Sequence, residues 1–396
     1  MPKKIAYVGE FQFPHGAATT KRALSLGRLF AHCGYEVSFY CLSSETASPD
    51  KINGVFENFH FSNLVLKYSN RGPLQKLNNW LTSGYKMIKL FAPTKPDYIV
   101  VTEGFSRFLL PLLIYAKRHS IKIIVDAEDW HDYSHLPFGK YGPFALDTHL
   151  AITWLMKKCD GIIAISSFFE RYYLNANVKA IRVPILIDKK EDISRLEKTD
   201  PFEQGYLHLI YAGNPGKRDI IDVAIDGLDA LVREGIKVKI HLVGPSRQSI
   251  ANMLGNNSAL LEQLKDSIVF HGRVTPDEVP ALLAKADFSF LIRLDMRYAN
   301  AGFPSKFVES LSVGVPVICN LTSDIGMYLK DGQNGFIMKD PSIESFVACV
   351  KKASALSEEK KMQMKLAAKA EAHQSFDYRN FVAPVKEFFR AIDAQS

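Results

Sequence analysis

The sequence has no long apolar run. Its longest, residues 108–116, is nine residues and contains Pro111, far short of the roughly 20 needed to cross a bilayer as a helix. No membrane-spanning helix is predicted. At the N-terminus Lys3 and Lys4 precede only the five residues IAYVG before Glu10, too few for the apolar core of a signal peptide. Cysteine is scarce and odd in number: Cys33, Cys41, Cys159, Cys319 and Cys349 are scattered through apolar stretches. That argues against a disulfide framework or a zinc site and for buried thiols in a reducing compartment. A cytoplasmic location is expected.

Acidic residues are missing between Glu57 and Asp97, where Lys67, Arg71, Lys76, Lys86, Lys89 and Lys95 occur. Within this stretch Leu74, Leu77, Leu81, Ile88 and Phe91, joined by Trp80, recur at helical spacing. The result is a basic amphipathic helix. It either covers a domain core or lies on an anionic membrane surface through residues 67–95, which would make the protein peripheral at the inner face of the membrane. No nucleic-acid-binding motif accompanies the charge, so nucleic acid is not an expected partner.

The rest of the composition is that of a globular protein. At 396 residues, with 47% hydrophobic and 23% charged residues, the chain is long enough for two domains, or three small ones, each with its own core. Two halves begin alike: residues 3–11 (KKIAYVGEF) and 208–214 (HLIYAGN) are β-rich apolar runs ending in glycine. Helical patterns follow at 17–33 and 218–234. That is how a βα unit opens a doubly wound parallel sheet. Further strands are predicted at 35–42, 97–103, 121–127 and 161–167, then at 238–244, 267–274, 287–294 and 315–320, in βαβ alternation throughout. Thr275-Pro276-Asp277-Glu278 reads as a capping box that starts a helix. Residues 188–204 are charged and almost free of apolar side chains, as in an exposed linker, and a hinge is expected there. Two such domains, with the carboxyl ends of their strands facing, would form one interdomain cleft.

Three loops carry candidate chemistry. In PHGAATTKR (14–22), Gly16, Ala17 and Ala18 let backbone amides approach a ligand at a helix N-terminus, or let helix and strand pack tightly. In GNPGKRD (213–219), Lys217 and Arg218 stand where a helix dipole disfavours cations, which points to a compensating phosphate. DAEDWHDYSH (126–135) packs Asp126, Glu128, Asp129, His131, Asp132 and His135 into ten residues. Such density suggests a metal site, but the His131 and His135 spacing lacks the glutamate of HExxH.

Taken together, the loop at 13–16, the AGNPGKRD segment, FHGRV followed by a helix and ADFSFLIR, the block GFPSKFVESLSVGVPVI, and DGQNGF resemble the retaining nucleotide-sugar glycosyltransferases of the GT-B fold, the large family 4 group. The resemblance implies two Rossmann-like parallel-sheet domains: residues 1–190 for the acceptor, residues 205–375 for the nucleotide-sugar donor, and a C-terminal helix in 376–396 returning to the first. It implies that Glu309 accepts both ribose hydroxyls of the donor. The structural alternative is a glutamate favourably placed in a helix's first turn. Lys217 and Arg218 would neutralise the diphosphate, helped by amides around Phe303 and Ser305, with Gly16, Ala17, Gly213, Arg293 and Lys306 as further donor contacts. The first glutamate of the family's pair would fall at Ala301, where the carboxylate is missing. His131 or Asp129 would touch the donor sugar or the acceptor hydroxyl.

The expected reaction is hexosyl transfer, with retention, from a UDP- or GDP-sugar to a hydroxyl of a glycan or lipid-linked glycan in cell-surface polysaccharide synthesis, with no cofactor and no metal. A nucleotide-sugar 2-epimerase of the same fold and a noncatalytic two-lobed sugar-binding protein are the alternatives.

Overall fold

The computed structural model describes residues 2–16, 18–43, 52–65, 73–131, 138–190, 202–216 and 218–394. The chain divides into two compact units, residues 1–186 with 378–396, and residues 187–377. Most of the charged segment expected as a linker lies outside the described residues.

Unit 1 holds strands β1 (Lys4–Gly9), β2 (Glu36–Ser43), β3 (Asn53–Phe56), β4 (Phe59–Val65), β5 (Tyr98–Thr102), β6 (Lys122–Ala127), β7 (Gly161–Ala164) and β8 (Ala180–Arg182). Its helices are α1 (Ala18–His32), α2 (Pro73–Phe91), α3 (Ser106–His119), α4 (Pro143–Leu150) and α5 (Ser167–Leu174). The sheet order is β3-β4-β2-β1-β5-β6-β7-β8, parallel except for β3, which runs antiparallel to β4. Near-continuous burial of β1, β5, β6 and β7 is what a sheet covered on both faces requires. The core is rich in aromatics: Phe13 stacks on Phe39 with centroids 4.2 Å apart, and Phe389 meets Tyr35 and Tyr98 at 4.7 and 4.9 Å.

The β3–β4 hairpin corrects the expected unbroken βαβ alternation. Its two-residue turn, Glu57-Asn58, has φ of 49° and 70°, the signature of a type I′ turn, which matches strand twist. Glu-Asn is an uncommon substitute for Asn-Gly there, so the turn left little trace in the sequence.

Unit 2 holds β9 (Leu207–Ala212), β10 (Val238–Val243), β11 (Ile268–Gly272), β12 (Phe288–Leu291), β13 (Val317–Asn320) and β14 (Gly335–Met338). Its helices are α6 (Ile221–Arg233), α7 (Arg247–Leu254), α8 (Leu260–Gln263), α9 (Val279–Ala284), α10 (Arg297–Ala301), α11 (Ser305–Ser312), α12 (Ile343–Ser354) and α13 (Glu358–Phe376). The final helix, α14 (Val382–Asp393), belongs to unit 1 and packs Val385, Phe388, Phe389 and Ile392 into its core. The unit 2 sheet is wholly parallel, in the order β11-β10-β9-β12-β13-β14.

The capping box at Thr275 opens a turn rather than a helix, and this too is a correction. Both the backbone N–H and the hydroxyl of Thr275 donate to the Glu278 carboxylate at 2.7 Å, so the threonine oxygen is spent as a donor. The helix begins four residues after Thr275, at Val279.

Each sheet reverses its strand order once, between β1 and β5 in unit 1 and between β9 and β12 in unit 2. The carboxyl ends of strands at such a switch point leave a crevice where ligands bind in open α/β sheets.

Candidate active site

At the unit 2 switch point the chain leaves β9 through Gly213, whose φ is +131°. A Cβ there would lie 2.4 Å from Lys306 Cε, so glycine makes room for a lysine stem arriving from α11. Beneath this crossing sits Asp219, buried, which accepts from Tyr211 Oη at 2.6 Å, Arg293 Nε at 2.7 Å and Lys306 Nζ at 2.9 Å. Burial pushes the Asp219 carboxyl up, but the Lys306 and Arg293 cations and the hydrogen bonds outweigh it and hold the group below the usual aspartate range. Burial and the Asp219 charge push the Tyr211 phenol well above its ordinary value, so it stays a donor. Within this cluster two cations face one carboxylate, and one positive charge is left over.

The expectation for Arg218 is corrected in its local detail. Asp219 bridges Arg293 in antiparallel fashion and Ile220 N–H donates to Ile292 O at 2.9 Å, which keeps the backbone extended until α6 begins at Ile221. Arg218 therefore lies in the turn before the helix, exposed, with its guanidinium 5.9 Å from the Tyr298 ring centroid. The dipole argument does not apply to it there, and its neighbour Lys217 lies outside the described residues. The anion matched to the half-buried cations Arg293 and Lys306 is Asp219, which reasoning from the sequence passed over because its partners are 74 and 87 residues away.

The α11 helix supplies three further candidates. Ser305 is its first residue, and no side chain caps that end, so N–H groups of its first turn are available as anion donors. Glu309 is the fifth residue of the helix and so lies in its second turn, where the N-terminal dipole does not account for it. Lys306 and Glu309 line one cavity with Ala212, Ser289 and Ser310; the Ser289 hydroxyl is buried there without a hydrogen-bond partner. Phe303 contributes no polar side chain: its ring is buried against Tyr328 and Phe376, at 5.7 and 5.9 Å. Ala301 is fully buried, and an ionised glutamate in its place would be desolvated at high cost.

In unit 1, Gly16 serves packing. A Cβ would lie 2.2 Å from Thr20 Oγ1 and 2.7 Å from Gln12 O, two atoms that are themselves hydrogen-bonded. No anion cradle is needed to explain it. Ala17 lies outside the described residues. Beyond β6, His131 Nδ1 is 3.2 Å from Asp129 Oδ2 and its Nε2 is 3.9 Å from Glu103 Oε2, so each ring nitrogen has a carboxylate beside it. Glu103, at the end of β5, holds a left-handed φ of 46°, a strained conformation that concentrates at functional sites; it was not singled out in the sequence. Burial, then the charges of Asp126 and Glu103, push the Glu128 carboxyl well above its ordinary value, and it bonds to Thr102. Asp129, His131, Glu103 and Glu128 line one cavity with Thr148, Ile152 and Met156. Among the described residues no group of His, Cys, Asp and Glu is arranged to hold a metal ion; Asp132 and His135 lie outside them.

Two α/β units built on parallel sheets are the architecture of the GT-B class of fold, and the comparisons agree. The crystal structure of Anabaena HepE in complex with UDP-glucose superposes with a TM-score of 0.68 at 15% identity, over 98% of this chain and 99% of that one. Residues 192–372 match the family Glycosyl transferases group 1, a match that falls within unit 2. An uncharacterized glycosyltransferase of Methanocaldococcus jannaschii is 24% identical over 48% of each chain; the match spans about half the length of that relative. Lipopolysaccharide 1,6-galactosyltransferase of Escherichia coli is 22% identical over 88% of each.

Proposed function

We propose that the chain transfers a hexosyl group from a UDP- or GDP-sugar to a hydroxyl of a glycan or lipid-linked glycan, with retention, in cell-surface polysaccharide synthesis. The observation that carries this reading is the excess positive charge held at the unit 2 switch point by Asp219, with Arg293 and Lys306 aimed from two different elements. In the reaction the bond from the sugar's anomeric carbon to the diphosphate breaks, the diphosphate leaves with the electron pair, and the acceptor oxygen forms the new bond and gives its proton to the departing diphosphate. Negative charge grows on the leaving diphosphate, so fixed cations act most strongly on the transition state. Arg293, Lys306 and the first-turn amides of α11 take that charge, joined by Lys217 and Arg218, which directly precede Asp219 in the sequence. Glu309 accepts from the ribose hydroxyls, and Asp129 and His131 serve the acceptor side. No metal is needed for this scheme.

The printed names of the relatives support it: one is a lipopolysaccharide galactosyltransferase, and a structural neighbour holds UDP-glucose. The test is a thermal-shift screen against UDP, GDP and their sugars, followed by an assay of hexose transfer with the nucleotide that stabilises. Stabilisation by one nucleotide and its sugars is expected. No shift with any of them would overturn the reading.

A further inference from the structure

The large apolar side chains exposed on unit 1 are not scattered. Among the described residues all but Ile52, Val55 and Leu174 lie on α2, α3 and the stretch 138–154. They fall at helical neighbour spacing: Leu81 and Tyr85 on α2, Leu110 and Ile114 on α3, and Leu146, Leu150 and Trp154 along α4 and the π-helical turn that continues it. The three elements pack side by side, α2 on α3 and α3 on α4. Phe138 and Tyr141, 81% and 72% exposed, stand in the turns before α4. Meanwhile Met87 and Phe91 of α2 are buried, so that helix covers the core with one side and exposes Leu81 and Tyr85 elsewhere.

The charge on these elements has one sign. Residues 73–91, 106–119 and 138–158 contain nine lysines and arginines and a single acid, Asp147, which is buried and paired with Arg107. Lys89, Lys117, Arg118, Lys140, Lys157 and Lys158 are exposed. Lys140 lies 5.0 Å from the Tyr141 ring and Lys158 4.6 Å from the Trp154 ring. A solvated helix face mixes both signs; exposed apolar and aromatic tips accompanied, on their own elements, by exposed cations alone match the interface of an anionic bilayer.

We infer that this face of unit 1, with the stretch 138–158 at its centre, docks on the surface of an anionic membrane. The other side of the same stretch supplies Thr148, Ile152 and Met156 to the cavity that holds Glu103, Glu128, Asp129 and His131. A docked segment therefore sits one helix thickness from that cavity, within reach of an acceptor whose lipid end stays in the bilayer. The docking does not depend on the transferase reading; only the lipid-borne acceptor does.

The test is co-sedimentation of the full chain with vesicles of phosphatidylcholine alone and of phosphatidylcholine mixed with phosphatidylglycerol. Binding is expected to the mixed vesicles only, and to weaken at high salt. The variant K140E/K157E/K158E is expected to lower the partition coefficient by roughly a hundredfold, from about fivefold per cation removed near the surface. The variant L146S/L150S/W154S is expected to lose binding at low salt as well. Stabilisation by UDP or GDP, read on the same preparations, is expected to be unchanged in both, which separates this inference from the transferase reading and reports folding. Failure of the wild type to bind mixed vesicles would overturn it. So would wild-type binding by both variants, or loss of a self-associated dimer in place of loss of vesicle binding.

Discussion

Tyr7 on β1 and Tyr211 on β9 stand on the first strand of their units, and each donates its hydroxyl to a buried aspartate, Asp126 at 2.8 Å and Asp219 at 2.6 Å. Each aspartate is gripped by cations. In unit 1 the cation is Arg22, 2% exposed, which bonds both Asp126 oxygens at 2.5–3.0 Å and spends its remaining donors on Val183 O and Pro184 O. Charge and hydrogen bonds close on themselves, and nothing is left for a ligand. In unit 2 two cations share Asp219, and both keep some exposure, 13% for Arg293 and 22% for Lys306. The same motif is a clamp in one unit and a charged site in the other. The difference is one extra cation and access to solvent.

The largest expected effect lies on the clamp. Asp126→Ala leaves Arg22 buried without its carboxylate and should cost about 3–5 kcal/mol, read from the midpoint of urea unfolding, whereas the apolar pair R22M/D126L should recover much of the loss. An unchanged midpoint for Asp126→Ala would mean the clamp is not structural.

Asp219→Asn should do the reverse, lowering turnover by about a hundredfold through misplaced cations while the protein still folds. Turnover per folded molecule equal to wild type would end the distinction between the two clusters. Arg293→Met removes one of the cations themselves, and a comparable loss of about a hundredfold in kcat is expected.

Glu309→Ala is a smaller perturbation: donor affinity, measured by titration calorimetry, should weaken by about 1–3 kcal/mol with the melting temperature unmoved.

The smallest effect is in pH dependence, and the two units should respond with opposite sign. In unit 2, His241 Nδ1 lies 3.0 Å from His271 Nε2, and its Nε2 lies 2.9 Å from His208 Nδ1. Burial first, then the neighbouring histidines, pull it down to about 3. The unfolded chain binds the proton that folded His241 refuses, so its contribution is complete above about pH 6.5 and falls, by about 1–2 kcal/mol, as pH drops to 5. Glu128 in unit 1 is raised, so the folded state holds its proton longer than the unfolded one, and its contribution is lost as pH rises above the ordinary glutamate range. Hydrogen exchange at pH 5 and pH 8, resolved by peptide, should show unit 2 weakening at the acid end and unit 1 at the alkaline end. A common slope for both would contradict the assignment.

Much of this was legible in one dimension. Runs such as IKIIVDA and VKIHLVG have the apolar continuity of strands buried on both faces, and glycine at 213 marks a loop where only a missing side chain fits. Glu309 stood out because its block resembles a family motif. The β3–β4 hairpin was missed because its turn lacks the usual Asn-Gly, and Glu103 because a strained backbone is invisible in a residue name.

By itself the sequence determined the strand and helix periodicities, the glycines that the loops require, and the one-signed charge between Glu57 and Asp97. Only the tertiary structure decided which charges meet. Asp219 finds Arg293 and Lys306, 74 and 87 residues onward, because β12 pairs beside β9, and Asp126 finds Arg22 across 104 residues because β6 and α1 belong to one layered unit. Propensity and capping act within a few residues, whereas strand order is settled by the packing of whole sheets. Whether a buried carboxylate becomes a clamp or a site therefore depends on how many cations that order delivers.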